Sequence, residues 1–297
     1  MKGIILAGGA GNRLYPMTKI QTKQLQPVYD KPMIYYPLSL LMLCGIKDIL
    51  LITTENDKSS FIQLLGNGER FGIKLSYKVQ SAPNGIAEAF ILGDEFIGND
   101  DVTLVLGDNL FYGSFECFRR AINAQMAKDN GITARVFAYG VKDPERYGVV
   151  EFDKSSLKVK SIEEKPKVPK SNYAIPGLYI LDQTAVLRAK SQKPSARGEL
   201  EITDLIQGYL KDGKLGVEMI NRGMAWFDTG TPQSLLEASS FIGAIEQRQG
   251  LKVACLEEIA LRMNFLTISE FSKVIEETPN SSYRNYLEHV LLEKEEN

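Results

Sequence analysis

The chain has 297 residues, 44% apolar and 24% charged, an ordinary globular composition long enough to bury its own core. Its 35 basic and 37 acidic side chains nearly cancel, which argues against a protein that lives on nucleic acid or on an anionic membrane. A single histidine, His289, removes most His-dependent triads and HExxH chemistry, and Cys44, Cys117 and Cys255 are too scattered for a zinc site or a disulfide framework.

Strand-helix alternation fills the first half. Gly3–Ala7 is a short apolar run ended by glycines, the pattern of a buried strand. It lacks the basic leader and the length of a signal peptide, and no apolar run elsewhere is long enough to span a membrane, so a cytoplasmic location is expected. A helix is predicted over 33–44, with Pro37 tolerable only near its first turn. Asp48–Thr53 reads as a second buried strand, 57–65 as a helix, 73–79 as an alternating strand, 86–96 as a helix, Val102–Leu106 as a third buried strand and 115–128 as a helix. Such alternation implies a parallel sheet with helices on both faces. Beyond about residue 130 short strands follow at 133–140, 147–152, 157–162 and 173–181, reading as a mixed extension or inserted sheet. Helices are predicted over 200–211 and 232–246, the latter with Thr231 as N-cap and Pro232 at its first position. The last forty residues read as helical, with Thr267 and Glu270 as a capping box.

Five segments carry candidate chemistry. The turn Gly8-Gly9-Ala10-Gly11-Asn12-Arg13 follows the first strand; its glycines let backbone N–H groups approach a phosphate, and Arg13 adds a permanent charge. It is no Rossmann fingerprint, because Leu14 stands where the third glycine belongs, and no Walker loop, because no GK[ST] follows. The competing reading is a tight structural turn. Lys23 lies just beyond and can reach the same phosphates or lie on the surface. Asp108 ends a buried strand, so it belongs on the same rim, where a carboxylate beside phosphate needs a cation such as Mg2+; alternatively it caps a turn. Asp228, in Trp226-Phe227-Asp228, is a second carboxylate that alone reads as a turn former. Glu163-Glu164-Lys165-Pro166 can hold sugar hydroxyls and a sugar phosphate, or be a solvated turn.

In this order, and across nearly the whole chain, LAGGAGNRL, TKQLQPVYDKPMIYYPL, VQSAPNGIAEAF, LVLGDN, RYGVVEF, EEKP, GELEITD and AWFDTGT resemble the sugar nucleotidyltransferases, in particular those that join dTTP to glucose 1-phosphate. The resemblance implies an α/β, Rossmann-like nucleotidyltransferase core with a mixed, mainly parallel sheet, an added small sheet and a C-terminal helical appendage. It divides the chain into a catalytic domain over 1–250, with its sugar-binding part at about 133–230, and the appendage over 251–297. The implied reaction is dTTP plus α-D-glucose 1-phosphate giving dTDP-glucose and pyrophosphate, a first step toward dTDP-L-rhamnose and related deoxysugars. Gly8, Gly9, Gly11, Arg13, Lys23 and Gln24 would bind the nucleotide phosphates, Gln80 and Gly85 the thymine edge, and Asp108 and Asp228 Mg2+. Asn109, Gly148, Glu164, Lys165, Ile175 and Arg197 would line the sugar side, with Lys165 on the sugar phosphate. Arg13, Lys23 and Lys165 are the expected catalytic cations in a direct displacement. The sugar phosphate is already an anionic nucleophile, so the scarcity of histidine is no obstacle.

A homotetramer with a regulatory nucleotide-sugar site at a subunit interface is also implied, without nucleic acid or membrane partners. Some positions depart from the usual pattern: Ala10 and Asn12 in the turn, Gln26 near the mouth of the site, Pro176 near the sugar side, and Ser114-Phe115 beside the regulatory site. A uridylyltransferase, a non-catalytic nucleotide-sugar sensor and a dinucleotide-dependent oxidoreductase are the competing functions, the last opposed by the missing glycine.

Overall fold

The computed structural model describes residues 1–9 and 11–296, so Ala10, noted above, lies outside the described residues. Its strands are β1 (Lys2–Ala7), β2 (Pro27–Val28), β3 (Lys31–Pro32), β4 (Asp48–Thr53), β5 (Lys74–Val79), β6 (Val102–Leu106), β7 (Asn109–Tyr112), β8 (Ala134–Gly140), β9 (Gly148–Phe152), β10 (Val159–Glu164), β11 (Tyr173–Ala174), β12 (Leu178–Leu181), β13 (Leu215–Met219) and β14 (Ala225–Asp228).

The apolar runs predicted as buried strands pair in parallel, in the order β5-β4-β1-β6. Beyond β6 the sheet turns antiparallel through β12 and β8, then β11, β9 and β10, while β13 joins β8 in parallel. Among the described residues the result is one mixed ten-stranded sheet with two separate ribbons, β2–β3 and β7–β14.

Successive strand residues point to opposite faces, so each strand feeds two cores. Ile5, Ile49, Leu51 and Val105 pack beneath the helices Tyr35–Leu43, Lys58–Leu65 and Glu116–Met126. Ile4, Leu50, Ile52 and Leu104 pack on the other face, beneath Glu88–Leu92, Thr184–Ser191 and Ile202–Lys211. The α/β fold with helices on both faces is therefore as the sequence implies.

Differences from the sequence reading have local causes. The helix expected over 86–96 is two short helices, Glu88–Leu92 and Asp94–Ile97, meeting at Gly93. The strand expected over 173–181 is split around Pro176, which has no N–H for the ladder. Strands β2, β3, β7, β13 and β14 and the helix Thr184–Ser191 were not anticipated; the ribbon strands have only two to four residues each, too few for a periodic signal. Both predicted caps form: Thr231 Oγ1 accepts from Ser234 N at 3.2 Å, and Thr267 Oγ1 accepts from Glu270 N at 3.3 Å.

The helical tail is tied into this core. Leu256, Ile259 and Ala260 share a hydrophobic cluster with Leu40 and Leu41, while Phe271, Ile275, Leu287 and Val290 form a cluster of their own. Among the described residues no helix is long and apolar enough to cross a membrane. Leu256 is wholly buried. We expect Leu256→Ala to lower stability by about 2–5 kcal/mol, within one cooperative urea transition followed by circular dichroism. Two resolved transitions would instead make residues 251–297 an independent unit.

Candidate active site

Parallel pairing brings the carboxyl ends of neighbouring strands to one rim. Ala7 pairs with Thr53, Thr53 with Val79, and Leu6 with Leu106. Gly8, Gln80 and Asp108, each one or two residues past a strand end, therefore gather there, where ligands of open α/β sheets bind. A cavity of about 640 Å³ opens at this rim.

From the nucleotide set, Gly8, Gly9, Arg13, Lys23, Gln80, Gly85 and Asp108 line the cavity, and Gly11 and Gln24 do not. Gly11 has φ 59° and shapes the turn: its carbonyl accepts from Thr18 Oγ1 at 3.0 Å. Gln24 is buried behind the rim, where its Oε1 accepts from Thr22 Oγ1 at 2.6 Å. Gln26 is likewise turned inward, donating to the Met17 carbonyl at 2.9 Å rather than standing at the mouth.

The centre of the cavity is a charge cluster. Lys23 Nζ and Asp108 Oδ2 form a largely buried ion pair. Burial opposes the charge on Asp108, but the Lys23 ammonium, with hydrogen bonds from Lys23 and Asn109, outweighs it and holds the carboxyl below its ordinary range. The ribbon β7–β14 places Asp228 opposite Asn109. Among the described residues Asp228 has no such ion-pair partner of its own. Burial, then the negative charge of Asp108, push its carboxyl upward, and the charges of Arg13, Lys23 and Arg146 only partly oppose them. Arg13 lies at the mouth against Gly230, where an added Cβ would stand 2.4 Å from its guanidinium and would push that flexible side chain aside.

Asn109 ties the cluster together. Its Nδ2 donates to Asp108 Oδ1 at 3.1 Å, and its Oδ1 accepts from Trp226 Nε1 at 2.6 Å and from Gly177 N at 3.1 Å. Expected on the sugar side, it lines the cavity but has only one amide N–H uncommitted.

Asn109, Gly148, Glu164, Lys165, Ile175 and Arg197 all line the cavity. Gly148 and Glu164 are cross-strand neighbours in β9 and β10, and Ile175 N donates to the Gly148 carbonyl at 2.7 Å. Glu164 Oε2 accepts from Thr203 Oγ1 at 2.5 Å, leaving Oε1 3.5 Å from Lys165 Nζ. Lys165 has φ 42°, in the left-handed region that costs a side-chain-bearing residue about 1–2 kcal/mol, a strain typical of functional positions. Arg197 is forked onto Glu201, at 3.1 and 2.8 Å.

Sequence reasoning missed Arg146, Tyr147, Thr203 and Trp226, which also line the cavity. The Trp226 ring lies 5.1 Å from Tyr147 and 5.6 Å from Tyr139, forming an aromatic wall. The signal was present, since RYGVVEF, GELEITD and AWFDTGT contain all four.

An α/β sheet between helix layers, gathering cations and two carboxylates at its strand ends, is the architecture of an enzyme acting on phosphorylated ligands. The chain belongs to the nucleotidyl transferase family of enzymes, whose family model matches residues 2–244. A glucose-1-phosphate thymidylyltransferase of Neisseria gonorrhoeae is 55% identical to it, over 98% of this chain and 99% of that protein. The enzyme of the same name from Mycolicibacterium smegmatis is 51% identical, over 98% of this chain and 99% of its own. Among solved structures, one from Bacillus anthracis, described as a glucose-1-phosphate thymidylyltransferase in complex with sucrose, is 43% identical with a TM-score of 0.75, covering 81% of this chain and 94% of that chain. A UDP-glucose pyrophosphorylase holding UDP-glucose shares the fold, with a TM-score of 0.72 at 23% identity over 84% of this chain and 99% of that one.

The strain on Asp228 yields a prediction. A carboxyl whose folded pKa is raised loses stability for the fold as pH rises through that pKa. Asp228→Asn should therefore raise the melting temperature of the ligand-free chain at pH 7, with the gain fading as pH falls through the folded pKa of Asp228. Calorimetry across this range checks it; an unchanged or lower melting temperature at pH 7 contradicts it.

Proposed function

We propose that this chain transfers the thymidylyl group of dTTP to α-D-glucose 1-phosphate and releases pyrophosphate. One observation carries the reading: Arg13, Lys23, Asp108, Asp228 and Lys165 line a single cavity on the strand-end rim. The relatives named for this activity, similar over nearly their whole length, support it.

A sugar phosphate oxygen attacks the α-phosphorus. A new P–O bond forms there, the bond to the bridging oxygen breaks, and pyrophosphate leaves with the electron pair. The nucleophile is already an anion, so no general base is needed. The barrier is one of bringing two anions into line, and positioning alone can contribute roughly 7–11 kcal/mol. Gly8 and Gly9 would present backbone N–H groups to the triphosphate, with Arg13 and Lys23 offsetting charge near the α-phosphate. Lys165 would hold the sugar phosphate and Glu164 sugar hydroxyls, with Arg197 a further phosphate contact.

Asp108 and Asp228 suit Mg2+. They form a two-carboxylate set whose mutual repulsion a cation relieves, and among the described residues no third acidic, histidine or cysteine ligand joins them. Mg2+ characteristically takes one or two carboxylates and completes its shell with phosphate and water. Bound there, it supplies charge neutralisation between the nucleotide and the carboxylates. The proposal extends to a cytoplasmic homotetramer with a regulatory nucleotide-sugar site near Ser114-Phe115. Against that last element, the Phe115 ring is turned toward the core, 5.7 Å from Phe118.

A pyrophosphate-release assay over four nucleotides and several sugar 1-phosphates tests the reading. We expect the highest kcat/KM with dTTP and glucose 1-phosphate. Equal efficiency with UTP would sink the specific assignment to dTTP, and no release with any pair would leave a nucleotide-sugar sensor. Asp108→Asn should lose at least ~100-fold in Mg2+-dependent kcat while keeping its far-ultraviolet circular dichroism. Near-normal turnover would refute the metal assignment.

A further inference from the structure

Glu88 lies outside the cavity, yet it fixes a side chain that lines it. Gln80 Nε2 donates to Glu88 Oε2 at 2.7 Å and to the Gly85 carbonyl at 3.2 Å. Neither partner can donate in return, since one is a carboxylate and the other a backbone carbonyl. Both N–H groups of the amide are thereby taken, and the opposite orientation would set oxygen against oxygen. Glu88 is itself clamped, because its Oε1 accepts from Asn84 Nδ2 at 2.8 Å.

The consequence falls on Gln80 Oε1. It is turned toward Gly8, where a Cβ would stand 2.9 Å away, and among the described residues the Gln80 side chain bonds only through its Nε2, so no group donates to its Oε1. Gly8, Gln80 and Gly85 line the cavity together. The site therefore offers a fixed acceptor with no matching donor among the described residues.

We propose that Glu88 is a positioning residue that holds Gln80 as a hydrogen-bond acceptor and so selects pyrimidine nucleotides with an N3–H over those without one. The inference rests on the dTTP reading above and deepens it. Thymine and uracil carry a donor at N3; cytosine, of the same size, carries an acceptor there and sets lone pair against lone pair. A site whose buried polar groups are fixed in advance rejects a ligand of wrong polarity more strongly than one of slightly wrong volume. Glu88 thus contributes to the choice between base types, and has no part in the choice between thymine and uracil.

The test compares wild type, Glu88→Gln and Glu88→Leu. Binding of dTTP and dCTP is measured by isothermal titration, and KM and kcat are measured with dTTP and glucose 1-phosphate. In Glu88→Leu the 2.7 Å bond to Glu88 is lost, and only the longer contact to the Gly85 carbonyl, 3.2 Å, still opposes turning the Gln80 amide over. We expect dTTP binding to weaken about tenfold, the dTTP-to-dCTP preference to shrink by at least that factor, and kcat and the KM for glucose 1-phosphate to stay near wild type. Glu88→Gln can still accept from Gln80 through its own carbonyl, so it should lose only part of the preference. An unchanged preference in both variants overturns the proposal, as does equal weakening of both nucleotides, the mark of a merely structural role. Should Glu88→Leu fail to fold, Glu88→Gln decides, because its amide also admits the reversed orientation and must narrow the preference. Failure of the dTTP reading looks different: wild type would bind N3–H pyrimidines in preference to dCTP yet release no pyrophosphate from dTTP and glucose 1-phosphate.

Discussion

Two carboxylates crowded into one partly buried site constrain everything around them. Asp108 is compensated, because the Lys23 ammonium and the Asn109 amide hold its charge. Asp228 is not, and the negative charge of its neighbour adds to the penalty of burial. A fold selected for stability alone would relieve this by neutralising one of the pair. Retaining both is the pattern of a site that trades stability for chemistry. The arrangement also depends on exact registry. The Asp108 carbonyl accepts from Thr229 N at 3.2 Å and Oγ1 at 2.8 Å, so the backbones on which the two acids sit are bonded to each other beside the carboxylates.

Strand β6 is where the two walls of the cavity meet. On one edge it runs parallel to β1, which delivers the glycine turn; on the other it runs antiparallel to β12, which follows directly after Ile175 and Gly177. Leu106 N donates to the Gly177 carbonyl at 2.8 Å, just before the chain reaches Asp108. Change of direction in the sheet is thus what sets a cation-rich wall from the first half of the chain against Gly148, Glu164 and Lys165 from the second. The same junction explains the commitment of Asn109. Its side chain bonds to the strand end, the Gly177 backbone and Trp226 of the ribbon together, which leaves little freedom for a ligand but fixes three elements at once.

Much of this was legible in the sequence. Long apolar runs such as Asp48–Thr53 and Val102–Leu106 announce buried parallel strands, and a parallel sheet puts the residues after them on one rim, so Gly8 and Asp108 could be placed together from pattern alone. Asp228 could not. It ends a four-residue ribbon strand with no periodic signature, and only resemblance to a family joined it to Asp108. Gly11 and Gln24 show the opposite limit, since a motif marks a segment without saying which of its members face inward. Gln24 is adjacent to Lys23 in the chain, yet one is packed behind the rim and the other lines the cavity. Glu88 was in plain view within VQSAPNGIAEAF, but its effect passes through the orientation of another side chain, which spacing does not encode.

Three cations of the site are paired with carboxylates before any ligand arrives. Lys23 is held by Asp108, Lys165 faces Glu164 at 3.5 Å, and Arg197 grips Glu201 at 2.8 Å. A phosphate entering the cavity exchanges one anion for another at each of these positions, so its net gain is far smaller than the attraction of a bare cation. The exchange favours a polyanion that engages several cations at once over a monoanion that must displace a carboxylate at each step. Lys165 and Arg197 are half exposed, so their pairs separate at little cost. Lys23 and Asp108 are not, and parting them leaves a poorly solvated carboxylate unless a cation arrives with the phosphate. A nucleotide carrying its own counter-ion answers both needs together. Arg13 differs from the other three in making no ion pair among the described residues, and it stands exposed at the mouth. Its charge is therefore available without any exchange, so on the proposed function the turn that carries it would be the first point of contact for an approaching phosphate.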